Sequence, residues 1–392
     1  MLRGKITFWR VVLAFLLILG AYAITLRFAR GLGASTNLSD AFPWGLWIGF
    51  DVMCGVMLAA GGFTLTAEVY IFNLKTLKPI LRPTVLTAFL GYLLVTVALL
   101  FDLGRGYRIW HPLVMWNPRS VMFEVAWCVT LYTTVLALEF SGVIFERMKF
   151  SKLVRLQHAI VVPLVIAGVM LSTLHQSSLG SLYLIVPHKL HPYWYTPLLP
   201  ILFFLSAICV GIAMTIFESS MSARHFGKQL EMPLLRALGR TLLVVLAVYT
   251  VVRFEDLVHR HVLHLISKGG YETGLFLLEM FLCSVAPIVL LLIPRVRANA
   301  NGLYLASVLC LLGFVTNRMN VAITGMEASA GQHYFPKWTE IAVTFAIVGF
   351  GFLVFALAVK YLPIFTHAEE PRPILQAEVS EDGVPELLDV SP

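Results

Sequence analysis

Two carboxylates frame the stretch Phe42 to Tyr70, FPWGLWIGFDVMCGVMLAAGGFTLTAEVY: Asp51 near its start and Glu68 near its end. The stretch is otherwise apolar and long enough to cross a bilayer, where a carboxylate needs a partner or a task. Similar groups recur at the ends of other apolar runs. Asp102, Arg105, Glu124, His175, Gln176, Arg253, Glu255, Glu279 and Arg318 fall at one depth with Asp51; Glu139, Glu146, His158 and Glu218 fall with Glu68 at the other. Acids, arginines and a histidine beside tryptophans suit a lipid-soluble ring headgroup such as a quinone. Such a ring asks for a hydrogen-bond donor at each carbonyl, a proton donor or acceptor, and apolar walls. On this reading His175, Asp102, Arg105 and Asp51 surround the headgroup, Trp44 and Trp47 form its wall, and Glu124, Glu139, Glu68 and Glu218 carry protons. The competing reading is a set of interhelical ion pairs, such as Asp51–Arg253 or Asp102–Arg105, that lock a bundle. For Glu146, next to Arg147, simple pairing at the interface is the better account.

These residues must be held by membrane helices. The chain has 392 residues, 58% of them hydrophobic and 13% charged, with a mean hydropathy of +0.82. A soluble domain cannot bury that much apolar surface, and the apolar runs are too long for barrel strands. The pattern predicts an all-α polytopic membrane protein with ten spans, at about 9–30, 46–73, 83–103, 120–146, 153–176, 196–220, 239–262, 272–293, 302–321 and 340–362. The N-terminal run is too long for a cleaved signal and has no small-residue cleavage site, so it reads as the first retained helix. If both termini are cytoplasmic, 18 of the 29 lysines and arginines fall on the cytoplasmic side, as the positive-inside rule requires. The net charge of +7 thus reflects topology rather than nucleic-acid binding.

This topology orders the polar groups by depth. With a rise of 1.5 Å per residue, Glu68 lies about 25 Å below Asp51, so the two are not partners. The small run Ala59-Ala60-Gly61-Gly62 between them allows close approach of a neighbouring helix. The outer connections 31–45, 104–119, 177–195 and 322–339 are long and rich in Trp, Tyr, His, Pro and Gly, a composition that suits a docking surface; the inner ones are mostly short and basic. Residues 1–366 read as the membrane domain and 367–392 as an acidic disordered tail. The five cysteines all fall within apolar runs and form no CxxC pair, which gives no support for a zinc or iron–sulphur site. A membrane haem needs two histidines at matching depth on neighbouring helices. His158 and His175 are a helix length apart on one helix, only His175 with His259 is conceivable, and no two-tier set of four exists.

Several stretches together resemble the polysulfide reductase membrane-subunit (NrfD-like) family, and within it the membrane subunit of the periplasmic NiFe hydrogenase-2 type. They are Phe42-Pro43-Trp44-Gly45-Leu46-Trp47-Ile48-Gly49-Phe50-Asp51, Ala60-Gly61-Gly62-Phe63, Phe101-Asp102-Leu103-Gly104-Arg105, Ser120-Val121-Met122-Phe123-Glu124, Leu138-Glu139-Phe140, Leu174-His175-Gln176-Ser177-Ser178-Leu179-Gly180-Ser181-Leu182, Val252-Arg253-Phe254 and Tyr334-Phe335-Pro336-Lys337-Trp338. The resemblance implies a ten-helix protein of the bacterial inner membrane without haem or iron–sulphur cluster of its own. It implies a periplasmic ferredoxin-like iron–sulphur subunit docked on the outer face, which passes electrons between the large and small subunits of a NiFe hydrogenase and menaquinone, with coupling to proton movement. The alternatives are a haem-carrying cytochrome b, a passive anchor and, against the near-empty membrane middle, a secondary transporter.

Overall fold

The computed structural model describes residues 8–186, 188–226 and 230–365. Basic residues Arg3, Lys5, Lys228 and Arg372, and the acidic segment 367–392, lie outside the described residues. Among the described residues ten helices are long and apolar enough to cross a membrane: α1 (Phe8–Arg30), α2 (Trp47–Ile71), α3 (Lys78–Asp102), α4 (Val121–Arg147), α5 (Ser151–Leu184), α6 (Leu199–His225), α7 (Met232–His259), α8 (Tyr271–Leu292), α9 (Ala300–Ala330) and α10 (Trp338–Tyr361). There are no strands among the described residues. In a bilayer every backbone group must be satisfied within the chain, and helices do this locally. Side chains start some of them: the Ser120 hydroxyl accepts from the Phe123 amide at α4, and Asn299 accepts from the Asn301 amide at α9.

Helices α2 to α5 pack as one four-helix bundle and α6 to α9 as a second, while α1 and α10 pair with each other and lean on α3. The two most buried helices, α2 and α6, form the seam between the bundles. They meet at small residues. A Cβ on Gly211 of α6 would stand 2.9 Å from the Ala60 backbone of α2, and one on Gly62 would stand 2.4 Å from the Ala88 Cβ of α3. The run Ala59 to Gly62 thus does what its composition suggests, on two sides at once.

Connections 31–46, 103–120, 188–198, 260–270 and 331–337 share one face, here the long-loop face; connections 72–77, 148–150 and 293–299 share the opposite, short-loop face. Two helices outrun their apolar cores. The span that hydropathy ends at 176 continues to Leu184, and the one ended at 321 continues to Ala330. The sequence QSSLGSL is tolerated within the helix because serine hydroxyls bond back along it: Ser177 to the Thr173 carbonyl at 2.9 Å and Ser181 to that of Ser177 at 3.2 Å. Consequently His175 and Arg318, expected at helix ends, lie about 14 Å and 18 Å inside them.

Four π-helical turns interrupt the spans: Trp47–Cys54, Ala67–Ile71, Phe281–Val285 and Asn320–Thr324. The first two contain Asp51 and Glu68, and the last two flank Glu279 and Asn317. Such widened turns re-aim side chains and often mark functional segments of helices.

Candidate functional site

The polar groups form three clusters, all buried. The first lies inside the α2–α5 bundle. His175 and Gln176 of α5 are fully buried, with Ser172 one turn below. Tyr92 of α3 has its ring centroid 5.7 Å from that of His175, and Tyr132 of α4 stacks edge-on against Tyr92 at 4.7 Å. The Gln176 amide donates to the Val56 carbonyl of α2 at 3.1 Å. Beyond that bond, the Tyr92 and Tyr132 hydroxyls, the Ser172 hydroxyl, both His175 nitrogens and the Gln176 carbonyl oxygen have no hydrogen-bond partner among the described residues. Ser172 and Gln176 stand beside Tyr92 without reaching hydrogen-bond geometry. An unsatisfied polar group buried away from water costs a few kcal/mol; Ser172 also stands beside Tyr132, so these groups lie close enough together to share hydrogen bonds with one another or with water.

This column continues toward both faces. On the long-loop side, the Ser178 hydroxyl of α5 donates to Glu124 of α4 at 2.6 Å, and Glu124 is exposed on the bundle flank. On the short-loop side, Glu139 of α4 lies within electrostatic reach of Tyr132 and Tyr70. Glu68 of α2 and Glu218 of α6 lie at the same end. Both Glu218 oxygens are buried and unpartnered, with Thr87 of α3 close by. None of Glu68, Glu139 or Glu218 takes part in a salt bridge among the described residues, whereas Glu146 pairs with Arg82 at 2.8 Å. The partner of Glu146 is therefore Arg82 of α3, not its neighbour Arg147.

The second cluster sits at the long-loop end, on the seam between α2–α3 and the α1–α10 pair. Asp51 accepts from the Thr344 hydroxyl of α10 at 2.6 Å. Asp102 lies within electrostatic reach of both Asp51 and Arg27 of α1, and its Oδ1 is buried without a partner. The Trp47 indole donates to the Glu340 carbonyl at 3.2 Å. Glu340 accepts from the Tyr334 hydroxyl, and from the Asn37 and Lys337 amides at 2.9 and 2.8 Å. Trp44 lies on the other side of α2, edge-on to Tyr183 of α5 at 5.5 Å. Arg105 is exposed in the loop after α3, and its side chain makes no hydrogen bond or ion pair among the described residues.

The sequence-predicted headgroup residues therefore divide. Asp51, Asp102 and Trp47 come together. His175 belongs to the bundle interior, about 15 Å deeper than Asp102 along the helix direction, and Trp44 packs against Tyr183 of α5. The ion pairs weighed as the bundle-locking reading do not form: Arg253 faces Asp256 and the Tyr193 carbonyl, and Asp102 faces Arg27. Arg27, Thr344 and Glu340 are not singled out by the sequence, and Tyr334 enters there only within the stretch Tyr334-Phe335-Pro336-Lys337-Trp338. Arg27 ends an apolar run like any interfacial arginine, and the others become informative only once α10 is placed against α2.

The third cluster holds the second bundle to its loop. Glu279 of α8 accepts from the Trp194 indole and from the side-chain amides of Asn317 and Asn320, each at 2.8 Å. Arg318 donates to the Asn317 carbonyl oxygen at 3.0 Å and to the Ser206 hydroxyl at 2.7 Å, and lies over the Phe203 ring at 3.5 Å. Arg253 donates to the Tyr193 carbonyl at 2.7 Å, and Thr196 to Asp256 at 2.5 Å. Tyr193 and Trp194, read from the sequence as part of a docking loop, are buried plugs instead. In the same loop, burial pushes the His191 imidazole below its ordinary pKa, with Glu272 opposing the shift.

Among the described residues no group of three or more His, Cys, Asp or Glu side chains could hold a metal ion. His175 is enclosed against Tyr92, while His259, the last residue of α7, and His261 and His264 just beyond it are exposed.

Comparison with known proteins places this architecture. Residues 34–330, which contain α2 to α9, match the family model described as polysulphide reductase, NrfD. A protein of Nitratidesulfovibrio vulgaris is 37% identical over 372 residues, 92% of this chain and 95% of that one. The probable Ni/Fe-hydrogenase 2 b-type cytochrome subunit of Escherichia coli is 32% identical over 89% of this chain and 90% of its own. The integral membrane subunit of the menaquinone reductase of N. vulgaris is 32% identical over 90% of each. With two four-helix bundles inside the matched region, and with a hydrogenase cytochrome subunit and a menaquinone reductase membrane subunit among its relatives, this chain is a member of the polysulphide reductase NrfD family.

Proposed function

We propose that this chain is the quinone-reactive membrane subunit of a respiratory complex in the bacterial inner membrane, with electrons exchanged between an extrinsic ferredoxin-like iron–sulphur subunit and menaquinone. A NiFe hydrogenase, with its large and small subunits, is the catalytic partner that the hydrogenase 2 relative suggests, and the menaquinone reductase relative suggests the quinone. The long-loop face is periplasmic and carries the docked subunit. The headgroup lies at the long-loop end of α2, beside Trp47 and the acid pair Asp51 and Asp102, with Trp44 and Tyr183 across α2 from it. Arg105 lies above it and His175 below. Haem plays no part in this scheme. A Soret band at stoichiometric intensity in the purified protein would favour instead the cytochrome that the name of the hydrogenase 2 relative describes.

The observation that carries the reading is the column of unpartnered polar groups inside the first bundle. Quinone reduction takes up two protons for two electrons. Glu68, Glu139 and Glu218 stand at one end of the column, Glu124 at the other, with the Tyr132, Tyr92, Ser172, His175 and Gln176 side chains between. Each interior member can both give and take a proton or hydrogen bond, directly or through water. A passive anchor has no use for such a column.

The test is Tyr92→Phe with Tyr132→Phe, which removes two hydroxyls and leaves the packing volume. In the assembled complex, quinone-linked turnover is expected to fall about a hundredfold, the low end for losing one proton-transfer group, with dye-linked turnover of the catalytic partner unchanged. Unchanged quinone-linked turnover would refute the column as a proton route and leave the passive anchor.

A further inference from the structure

The matched family region ends at residue 330 and begins at 34, so α1 and α10 lie outside it. Yet this pair supplies most of the contacts to the acid cluster. The pair is tightly joined: a Cβ on Gly20 of α1 would stand 2.1 Å from that of Ala346 on α10. From α10 come the Thr344 hydroxyl on Asp51 and the Glu340 carbonyl on the Trp47 indole. From α1 comes Arg27, which is 5% exposed. Its Nε donates to the Phe101 carbonyl at 2.7 Å and its Nη2 to the Leu103 carbonyl at 2.8 Å. These are the two residues on either side of Asp102.

The guanidinium does three things in one place. It satisfies carbonyls at the C-terminus of α3 that have no helical partner. It fixes the peptide units that carry Asp102, because its planar fork allows little freedom once two donors are engaged. It also sets a positive charge beside a carboxyl that already faces Asp51 from α2, Glu340 from α10 and the Tyr334 phenol from the loop before α10. The Glu340 oxygens are fully engaged by Tyr334, Asn37 and Lys337. Asp102 keeps Oδ1 buried and free.

We propose that Arg27 is a positioning residue for Asp102, and that the α1–α10 pair serves to complete the acid site by clasping the end of α3 and orienting Asp51. The inference rests on the reading of Asp51 and Asp102 as headgroup residues and adds the device that holds them.

The experiment is a double-mutant cycle in the assembled complex: Arg27→Gln, Asp102→Asn and the two combined, with Arg27→Lys as the conservative variant. The readout is quinone-linked turnover divided by dye-linked turnover of the same preparation, which removes losses from poor assembly. Arg27→Gln and Asp102→Asn should each lower the ratio roughly tenfold, within the range of coupling seen for contacting residues. The combined variant should fall no further than Asp102→Asn alone, and Arg27→Lys should recover part of the loss. If the two losses multiply, or if Arg27→Gln leaves the ratio unchanged, Arg27 does not act through Asp102 and the inference fails while the headgroup reading stands. An unchanged ratio in Asp102→Asn would overturn both.

Discussion

Replacement of Glu279 by glutamine tests the architecture where it is most fully specified. Every amide around Glu279 has a fixed orientation. Arginine only donates, so the carbonyl oxygen of Asn317 must face Arg318 and its NH2 must face Glu279. The Asn320 NH2 also reaches the Leu275 carbonyl at 3.3 Å, with its own oxygen turned to Thr324. Trp194 has one donor and no acceptor. The surroundings thus offer Glu279 three donors and no acceptor. A glutamine retains one acceptor oxygen and, whichever way it turns, sets an NH2 against another N–H. If its oxygen takes the Oε2 place it keeps Trp194 and Asn320 and leaves Asn317 unpaired; the other orientation loses two. One charge-assisted bond contributes about 1.5–3 kcal/mol in soluble proteins, and interhelical bonds in membranes average nearer ~0.6 kcal/mol. A buried donor without a partner costs about 1–3 kcal/mol more. Glu279→Gln should therefore destabilise the protein by about 2–4 kcal/mol, measured by denaturant unfolding in mixed micelles with tryptophan fluorescence as probe. The 188–198 loop should lose protection from hydrogen exchange in the same variant. A change below about 0.5 kcal/mol, the level of an ordinary surface substitution, would refute the assignment of these bonds.

Glu124→Gln keeps a group that can accept from Ser178 but cannot carry a proton. It should slow quinone-linked turnover while dye-linked turnover stays intact, and loss of both would point to misassembly. The 188–198 loop should respond to acid through His191. Its imidazole is held below its ordinary pKa of about 6.5 by burial, so the unfolded loop binds the proton more readily than the folded one. Stability from this group is present above about pH 6.5 and is lost as pH falls from there toward the lowered value. The protection factors of the loop amides, which remove the intrinsic pH dependence of exchange, should fall over that window in the wild type and stay level in His191→Gln.

Much of the fold follows from pattern. Ten apolar runs, the connections that share the long-loop face and the close approach at Ala59 to Gly62 are all visible in composition, because a bilayer punishes any other arrangement. Helix ends were less legible at two places that matter. In α5 the run His175-Gln176-Ser177-Ser178 looks like an exit from the membrane, but Ser177 is satisfied on its own helix, Ser178 reaches Glu124 of α4 and Gln176 finds a carbonyl on α2. In α9 the run Asn317-Arg318-Met319-Asn320 has the same look, and Glu279, 38 residues back from Asn317, absorbs its amides. Hydropathy scores each residue alone and cannot register a polar group that is satisfied by another helix.

The site shows the same limit. Asp51 and Asp102 are legible as costly acids, and their meeting is not, because it depends on how α2 and α3 turn. Arg27, Thr344 and Glu340 join them from segments more than 70 residues away in sequence from at least one partner. Tyr92 and Tyr132 read as ordinary aromatic core, and only the absence of partners for their hydroxyls sets them apart. The π turns at Asp51 and Glu68 have no sequence signature at all in this chain, yet they carry both of the carboxylates that mark α2.

The most direct test of the central claim is a structure of the assembled complex with a menaquinone analogue bound. The account predicts the headgroup at the long-loop end of the first bundle, with a ring oxygen within hydrogen-bond distance of Asp51 or Asp102 and the ring against Trp47. A headgroup seated in the second bundle beside Glu279 and Arg318, or an analogue that touches only the extrinsic subunit, would contradict it.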